Sequence, residues 1–367
     1  PTNNISNFSY SNNKILLSKS RKLSKHASSI NSLNRKIVFY KNNLISYDHK
    51  GTIFIYSLNL NKKIFEYNFY KKNFKNFNKV INLIINENVL YAADNLGYIY
   101  ALNLDDNSII WAKNYGIPFR SNLKFVDNQI FLANQDNVIY SVNSNTGEKN
   151  WQFATSLTFL KSSFENNFAL DLINNNLFFL NTSGELYSIN YLTQNINWII
   201  NFKNSSLVGD TELFLSHPIV IKNNNLIITT EKAILSYNAL TSLRNWNLSA
   251  EPIFKPIITS NYTYIVLKND LLICIENTNG NVVWSRNIFS NLEYKIKKKF
   301  KLIVDFKIVN NEINIYYKNG NLLSFNYGDG KLNQMSRISK KGISSEIVFL
   351  DDNMLFIDKN NKLLKFN

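Results

Sequence analysis

Side chains that could carry out acid–base, nucleophilic or metal chemistry are few in this sequence and lie far apart. The histidines His26, His49 and His217 stand in different segments without metal-ligand spacing, and no HExxH or CxxC motif is present. His217 precedes Pro218, and we interpret it as a structural residue rather than a catalytic base. The single cysteine, Cys274, cannot form an internal disulfide, so cysteine usage leaves the compartment open. We therefore predict no catalytic site, no metal site and no cofactor.

The chain is strongly basic, with 41 lysine and arginine residues against 26 aspartate and glutamate residues and a net charge of +15. Two stretches concentrate this charge, Lys71–Lys79 and Tyr294–Lys301. A nucleic acid or an anionic lipid surface would be compatible with such charge. An AT-rich coding sequence would also enrich Asn, Lys, Ile, Phe and Tyr together, and we favour that explanation because no nucleic-acid-binding module is present. We predict no nucleic-acid partner, and no run reaches the ~18 apolar residues of a membrane span.

The chain contains a repeated pattern of structural elements, which must position any site. The tryptophans mark this repeat. Each tryptophan lies 14 residues after an anchor position that precedes a short apolar run and a turn. The tryptophans are Trp111, Trp151, Trp198, Trp246 and Trp284, and their anchors are Gly97, Asn137, Gly184, Lys232 and Asp270. Because tryptophan is rare in this chain, chance is a poor explanation for this regularity.

Weaker copies extend the repeat over most of the chain. The eight anchors are Gly51, Gly97, Asn137, Gly184, Lys232, Asp270, Gly320 and Asn361. Their mean spacing of about 44 residues, with two apolar runs before each anchor and two after it, is typical of a β-propeller blade. We therefore predict an all-β fold with almost no helix: an eight-bladed β-propeller with four antiparallel strands per blade.

Three positions of the repeat have physical reasons. The anchor is often Gly or Asn because the chain turns there with positive φ. The fifth residue is small in six copies, which leaves room for a large neighbour, and the seventh is Asn in six copies, where it can close a turn. We interpret the tryptophans as structural wedges between blades, each costing about 3–5 kcal/mol when lost. Phe65 takes the tryptophan position in the first copy and Gln334 takes it in the seventh.

The last copy ends at Asn367 after three strands, so its outer strand must come from elsewhere. The run Lys14–Lys19 is the only unassigned strand-like segment, and we predict that it completes the eighth blade and closes the ring. This prediction divides the chain into a tail at residues 1–13 and a single propeller domain at residues 14–367.

The repeat resembles that of the pyrroloquinoline-quinone propellers, with Ala101–Trp111 and Ser141–Trp151 as the clearest copies. That resemblance includes two branches: the quinone-dependent dehydrogenases, and BamB, a non-catalytic lipoprotein family of the outer-membrane β-barrel assembly machinery. The dehydrogenases are typically longer and carry a catalytic aspartate, calcium-binding carboxylates and often a cysteine pair. The chain is more similar to BamB, which has a similar length and eight blades. A quinone-dependent dehydrogenase is the alternative.

Two segments between repeats are similar to BamB segments that contact its partner. Gly209–Val220 resembles one of them, although Ser216-His217 replaces an acidic pair, and Ser156–Lys161 resembles the other, with one extra apolar residue and lysine in place of arginine. Phe159 and Leu160 are adjacent apolar residues, so one of them is expected to face solvent as an interface anchor. The resemblance assigns partner binding to Leu157, Phe159, Leu160, Lys161, Asp210 and Glu212.

The resemblance implies a scaffold subunit of the β-barrel assembly machinery that binds the POTRA domains of BamA. It also implies contact with unfolded outer-membrane protein substrates along strand edges. A location at the periplasmic face of the outer membrane follows, with a lipid anchor on a cysteine just before Pro1.

Overall fold

A computed structural model provides the structure of the chain. It describes residues 7–8, 17–23, 37–48, 50–70, 74, 77, 79–156, 168–202, 214–290, 300, 302–350 and 353–366. Among these residues no helix is long and apolar enough to cross a membrane.

The described residues form β-strands joined by turns and connections. The strands of the first half are β1 (Asn7–Phe8), β2 (Leu17–Lys22), β3 (Val38–Tyr40), β4 (Asn43–Tyr47), β5 (Thr52–Ser57), β6 (Lys62–Asn68), β7 (Ile81–Asn86), β8 (Val89–Asp94), β9 (Tyr98–Asn103), β10 (Ile109–Asn114), β11 (Lys124–Val126), β12 (Gln129–Ala133), β13 (Val138–Asn143), β14 (Lys149–Ala154), β15 (Phe168–Asp171), β16 (Asn176–Leu180), β17 (Glu185–Asn190) and β18 (Ile196–Asn201). Those of the second half are β19 (Val220–Lys222), β20 (Asn225–Thr229), β21 (Ala233–Asn238), β22 (Arg244–Ser249), β23 (Ile257–Ile258), β24 (Tyr262–Val266), β25 (Leu271–Glu276), β26 (Val282–Asn287), β27 (Ile303–Val309), β28 (Glu312–Tyr317), β29 (Asn321–Asn326), β30 (Leu332–Arg337), β31 (Val348–Leu350), β32 (Asn353–Ile357) and β33 (Lys362–Phe366).

Each group of four successive strands from β3 to β30 forms one sheet, which gives seven blades. The eighth blade contains β31, β32 and β33, and its fourth strand is β2 from the N-terminal part of the chain. Within the blades, the strands pair antiparallel, as between β12 and β13. The predicted all-β fold, an eight-bladed β-propeller, is confirmed.

The chain divides into two compact units. The first unit contains residues 95–100 and 111–288, and therefore the third to sixth blades. The second unit contains residues 7–94, 101–110 and 289–367, and therefore the first, seventh and eighth blades. The second blade contributes β7 and β8 to the second unit, while β9 and β10 are divided between the units. That residues 14–367 behave as one domain stays a prediction.

The third strand of each blade is apolar on both faces because a neighbouring blade covers each face. In β13, for example, Ile139, Tyr140, Ser141 and Val142 are all buried. The fourth strand lies at the outer edge and alternates, as β14 does between exposed and half-buried residues. The resulting core lies between blades: in the first unit, Phe131 of the third blade packs against Tyr191 of the fourth.

Turn chemistry at the anchor agrees with the sequence prediction. Seven anchors have positive φ, and Lys232 is the exception. The Asn at the seventh position closes the turn between the third and fourth strands by accepting two backbone N–H groups with its side-chain oxygen. This happens at Asn143, Asn190, Asn238 and Asn326.

The N-terminal part of the chain supplies two strands to the second unit. β2 pairs antiparallel with β33, from Leu17 opposite Phe366 to Lys22 opposite Lys362. The predicted closure of the eighth blade by an N-terminal strand is therefore confirmed. The strand begins three residues later than the predicted segment Lys14–Lys19. Next to β2, Leu23 packs in a cluster with Ile37 and Leu355, which joins the first and eighth blades. Asn7–Phe8, inside the predicted tail, forms β1 and pairs with β27 of the seventh blade.

Candidate partner-binding site

The predicted partner-binding residues belong to two connections between blades, and both connections lie outside the described residues. The first connection is residues 157–167, between β14 and β15, and the second is residues 203–213, between β18 and β19. The six residues concerned are Leu157, Phe159, Leu160, Lys161, Asp210 and Glu212. The structure does describe the residues that flank each connection, and these define where the connections begin and end.

Both ends of the second connection are held by the turn 181–184, which joins β16 to β17 in the fourth blade. Before the connection, the Phe202 backbone N–H donates to the Gly184 carbonyl at 2.8 Å. After it, the Phe214 N–H donates to the Thr182 carbonyl at 3.1 Å. The two rings stack with centroids 5.3 Å apart. Gly184 has φ +83°, and a Cβ there would lie 2.8 Å from the Phe214 ring, so glycine is required for this close packing.

The start of the first connection is held by side chains of the same turn and of β17. The Ser156 hydroxyl donates to one Glu185 carboxylate oxygen at 2.9 Å, and the Ser156 N–H donates to the Tyr187 hydroxyl at 3.2 Å. The other Glu185 oxygen accepts from Asn181 and from Tyr187, each at 2.8 Å. Burial raises the pKa of Tyr187, so its phenol stays protonated and keeps donating to Glu185.

A second set of hydrogen bonds fixes the third blade to this turn. The Asn137 side-chain amide donates to the Thr182 hydroxyl at 2.7 Å, and the Thr155 hydroxyl donates to the Asn137 carbonyl at 3.1 Å. Asn181 donates to the Thr155 hydroxyl at 3.3 Å. The first connection ends at Phe168, which is fully buried against Phe179 with ring centroids 4.7 Å apart. The described ends of both connections are thus rigidly held, and three of the four ends bond to turn 181–184 or β17.

The tryptophans contact the following blade in a repeated way. The indole N–H groups of Trp111, Trp198 and Trp246 donate to the backbone carbonyls of Ser144, Ala239 and Asn277, each just after the third strand of the next blade. The cross-strand partner of Trp151, Trp198, Trp246 and Trp284 is the small fifth residue of the same blade, respectively Ser141, Ser188, Ser236 and Cys274. Phe65 and Gln334 take the same register position opposite Ile55 and Ser324. The wedge role of the tryptophans stays a prediction, which these contacts support.

Sequence reasoning missed the residue that precedes the tryptophan. In the third, fourth and fifth blades a β-bulge follows the small serine, and the Asn in the bulge donates its side-chain amide to that serine hydroxyl. The donors are Asn150, Asn197 and Asn245, at 3.2, 3.2 and 3.1 Å. The repeated Asn-Trp pair in the sequence is the signal that would have found them.

Of the side chains considered for chemistry, His217 and Cys274 are described, whereas His26 and His49 lie outside the described residues. His217 Nε2 lies 3.2 Å from the Pro252 carbonyl oxygen, and burial lowers its pKa. Cys274 is buried, and burial raises the pKa of its thiol to about 11. Among the described residues, no three His, Cys, Asp or Glu side chains are grouped closely enough to hold a metal ion.

Most of the two basic stretches also lies outside the described residues, and Lys79 is the informative exception. Lys79 is buried rather than exposed to solvent. Its ammonium donates to the Phe74 carbonyl and lies 5.3 Å from the Tyr70 ring centroid, and Tyr70 in turn donates to Asp94. Burial lowers the pKa of Lys79. This lysine is therefore packed inside the second unit and does not contribute to a charged surface.

Comparison with known proteins gives one family and one curated relative. A family model described as outer membrane protein assembly factor BamB matches residues 79–286, more than half of the chain. A protein of that name from Legionella pneumophila (strain Paris) is 35% identical over 69 residues, which span 19% of this chain and 17% of that protein.

Several solved structures share the fold. BamB from Moraxella catarrhalis gives a TM-score of 0.74 at 11% identity, over 96% of this chain and 100% of that chain. The computationally designed Ika8 protein gives 0.68 at 12% identity, over 94% and 99% of the two chains. Quinohemoprotein alcohol dehydrogenase from Comamonas testosteroni gives a TM-score of 0.69 at 8% identity, over 96% of this chain and 76% of that chain. At these identities the likeness shows the fold alone.

Proposed function

The chain belongs to the outer membrane protein assembly factor BamB family, and we propose that it is a non-catalytic scaffold subunit of an outer-membrane β-barrel assembly machinery. The family match supports a role in outer-membrane protein assembly and a working location at the outer membrane. The finer parts of the proposal are a lipid-anchored position at the periplasmic face, binding to the POTRA domains of BamA, and help for unfolded barrel substrates.

One observation carries the proposed partner-binding site: three of the four described ends of the two connections bond to turn 181–184 or β17. The carbonyls of Gly184 and Thr182 accept from the two sides of the second connection, and Glu185 accepts from the start of the first. A loop whose ends are fixed loses less conformational freedom when a partner binds. We infer that the propeller supplies a rigid base on which two adjacent connections are presented to one partner.

The residue types of the two connections complement each other as parts of one interface. The first supplies apolar Leu157, Phe159 and Leu160 with the cation Lys161, and the second supplies the anions Asp210 and Glu212. Apolar anchors provide most of the binding energy of an interface, while charges at its rim set orientation and association rate. We therefore propose that Leu160 is an anchor residue and that Lys161 pairs with an acidic group of the POTRA domains.

The direct test is a pull-down with the periplasmic POTRA fragment of BamA. Leu160→Asp with Lys161→Glu reverses both properties of the first connection and should abolish binding, while the melting temperature stays unchanged. Leu243→Asp with Arg244→Glu is the matched control, because it changes an exposed apolar–basic pair where the β21–β22 turn meets β22, at the opposite strand ends. Unchanged affinity of the Leu160, Lys161 variant would show that the loop assignment is wrong.

A quinone-dependent dehydrogenase is the alternative, since solved alcohol dehydrogenases share the fold. Adding pyrroloquinoline quinone with calcium and following alcohol oxidation separates the two proposals. We expect no turnover, and measurable turnover would contradict the scaffold proposal.

A further inference from the structure

The inner edge of the seventh blade carries an added strand. β1 lies beside β27, the innermost strand of that blade, and pairs with it in parallel: Asn7 opposite Ile308 and Phe8 opposite Val309. This makes a five-stranded sheet, whereas each of the other seven sheets formed by the described residues has four strands. An extended segment of the chain therefore occupies an edge that the repeat itself leaves open.

β27 differs from its counterparts in ways that suit an acceptor strand. It has seven residues, against two to six in the innermost strands of the other blades. The last residue of the innermost strand is half-buried in most blades, as Val126 and Leu350 are. In β27 the last two residues, Ile308 and Val309, are only 7% and 5% exposed, and β1 runs along both. Without β1, an apolar strand edge would be open.

The pairing of the added strand is short. β1 pairs through two residues only, whereas β2, beginning nine positions after Phe8, pairs with β33 through five. A short strand on its own holds weakly, but attachment through β2 keeps it at a high local concentration near the edge. Terminal segments with so little pairing open locally far more easily than core strands do.

We propose that the inner edge of the seventh blade is an acceptor site for an extended polypeptide strand, and that Asn7–Phe8 is its built-in occupant. The partner is a polypeptide segment that pairs in parallel with β27 and places residues opposite Ile308 and Val309. Its backbone would replace the pairing made by β1, and it could bind only when the N-terminal segment has moved away. This proposal does not depend on binding of BamA.

Disulfide capture tests the proposal in the full chain. Val309→Cys is introduced with the N-terminal segment unchanged, and again with Asn7→Pro and Phe8→Pro, which remove two backbone donors and free the edge. The probe is a synthetic peptide of residues 2–13 carrying Phe8→Cys, offered in a glutathione redox buffer. Directly opposed residues of paired strands lie about 5 Å apart, within reach of a disulfide. Buried Cys274, with its raised thiol pKa, does not compete.

Intact mass measures how much peptide each protein captures. Leu350→Cys in the proline background is the matched control, because Leu350 ends the innermost strand of the eighth blade and no strand is added there. We expect about tenfold more capture at Val309→Cys in the proline background than in the unchanged one, and little at Leu350→Cys. A second probe that also carries Asn7→Pro pairs less well with β27 and should be captured poorly. If exposure of the thiol alone caused capture, both probes would be captured.

Equal capture in the two backgrounds, at the two sites or by the two probes would overturn the acceptor assignment. The melting temperature of the proline variant should stay within about 2 °C of that of the unchanged chain. Unfolding of that variant would also overturn the proposal, because it would make the segment a structural strand rather than a separable occupant.

Discussion

At the scale of single residues, contacts between blades depend on a large ring meeting a residue without a side chain. Trp246 is buried, donates its indole N–H to the Asn277 carbonyl at 2.8 Å, and covers Gly280 in the β25–β26 turn of the next blade. A Cβ on Gly280 would lie 2.6 Å from the indole. At this position the small Ser236 opposite Trp246 and the glycine against its ring therefore fix the size of the ring that fits.

Gly280→Ala should destabilise the protein by about 2–5 kcal/mol, because the positive φ of 78° costs roughly 1–2 kcal/mol and displacement of the indole adds about 1–3 kcal/mol. Gly116→Ala is the matched control. It has a similar φ of +74°, but nothing lies within 4 Å of its added Cβ, so only the backbone cost remains. Melting temperatures of the two variants check this, and equal losses would show that the ring does not press on Gly280.

His217 should make stability depend on pH. Burial lowers its pKa in the folded protein below the ordinary value of 6.5. The stability from the neutral ring is therefore fully present above about pH 6.5, and it is lost as the pH falls through the lowered folded pKa. Between pH 7.5 and pH 5, the wild type should lose more of its melting temperature than the His217→Gln variant. An identical pH dependence in both proteins would show that His217 does not make the stability depend on pH.

At the scale of elements, the regular features follow from the sequence and the irregular ones do not. The anchors, the third strands and the Asn-closed turns repeat with one period, so eight copies reinforce each other and place the blades. The missing fourth strand of the last copy also points to an N-terminal strand. β1 has two residues and belongs to no repeat, so no periodicity reveals it. The bulge bond of Asn150 becomes visible only when the register opposite Ser141 is known.

Deleting residues 1–22 should lower the melting temperature by at least about 5 °C, because β33 loses its partner and the blade edge opens. The matched control deletes residues 1–8, which removes β1 and keeps β2, and it should melt close to the full chain. If the longer deletion also melts at the same temperature as the full chain, closure by β2 contributes nothing to stability.

At the scale of the whole molecule, the fold is shared across proteins of very different roles. BamB from Moraxella catarrhalis and an alcohol dehydrogenase both match nearly all of the chain at low identity. Function must therefore lie in what each chain adds to the blades. The candidate site could be only partly predicted for that reason. Its residues belong to connections that do not repeat, so they were assigned from their resemblance to BamB segments and not from the period of the repeat. The hydrogen bonds that hold those connections, from Ser156 to Glu185 and from Phe214 to Thr182, required the structure.

The proposed contact of the first connection with the POTRA domains of BamA can be measured directly. A photoreactive amino acid placed at Leu160, with one at Leu243 as the control, tests this contact in the intact protein. Illumination with the POTRA fragment should give a cross-linked product from position 160 and none from position 243. No product from position 160, or equal yields from both positions, would contradict the proposed contact.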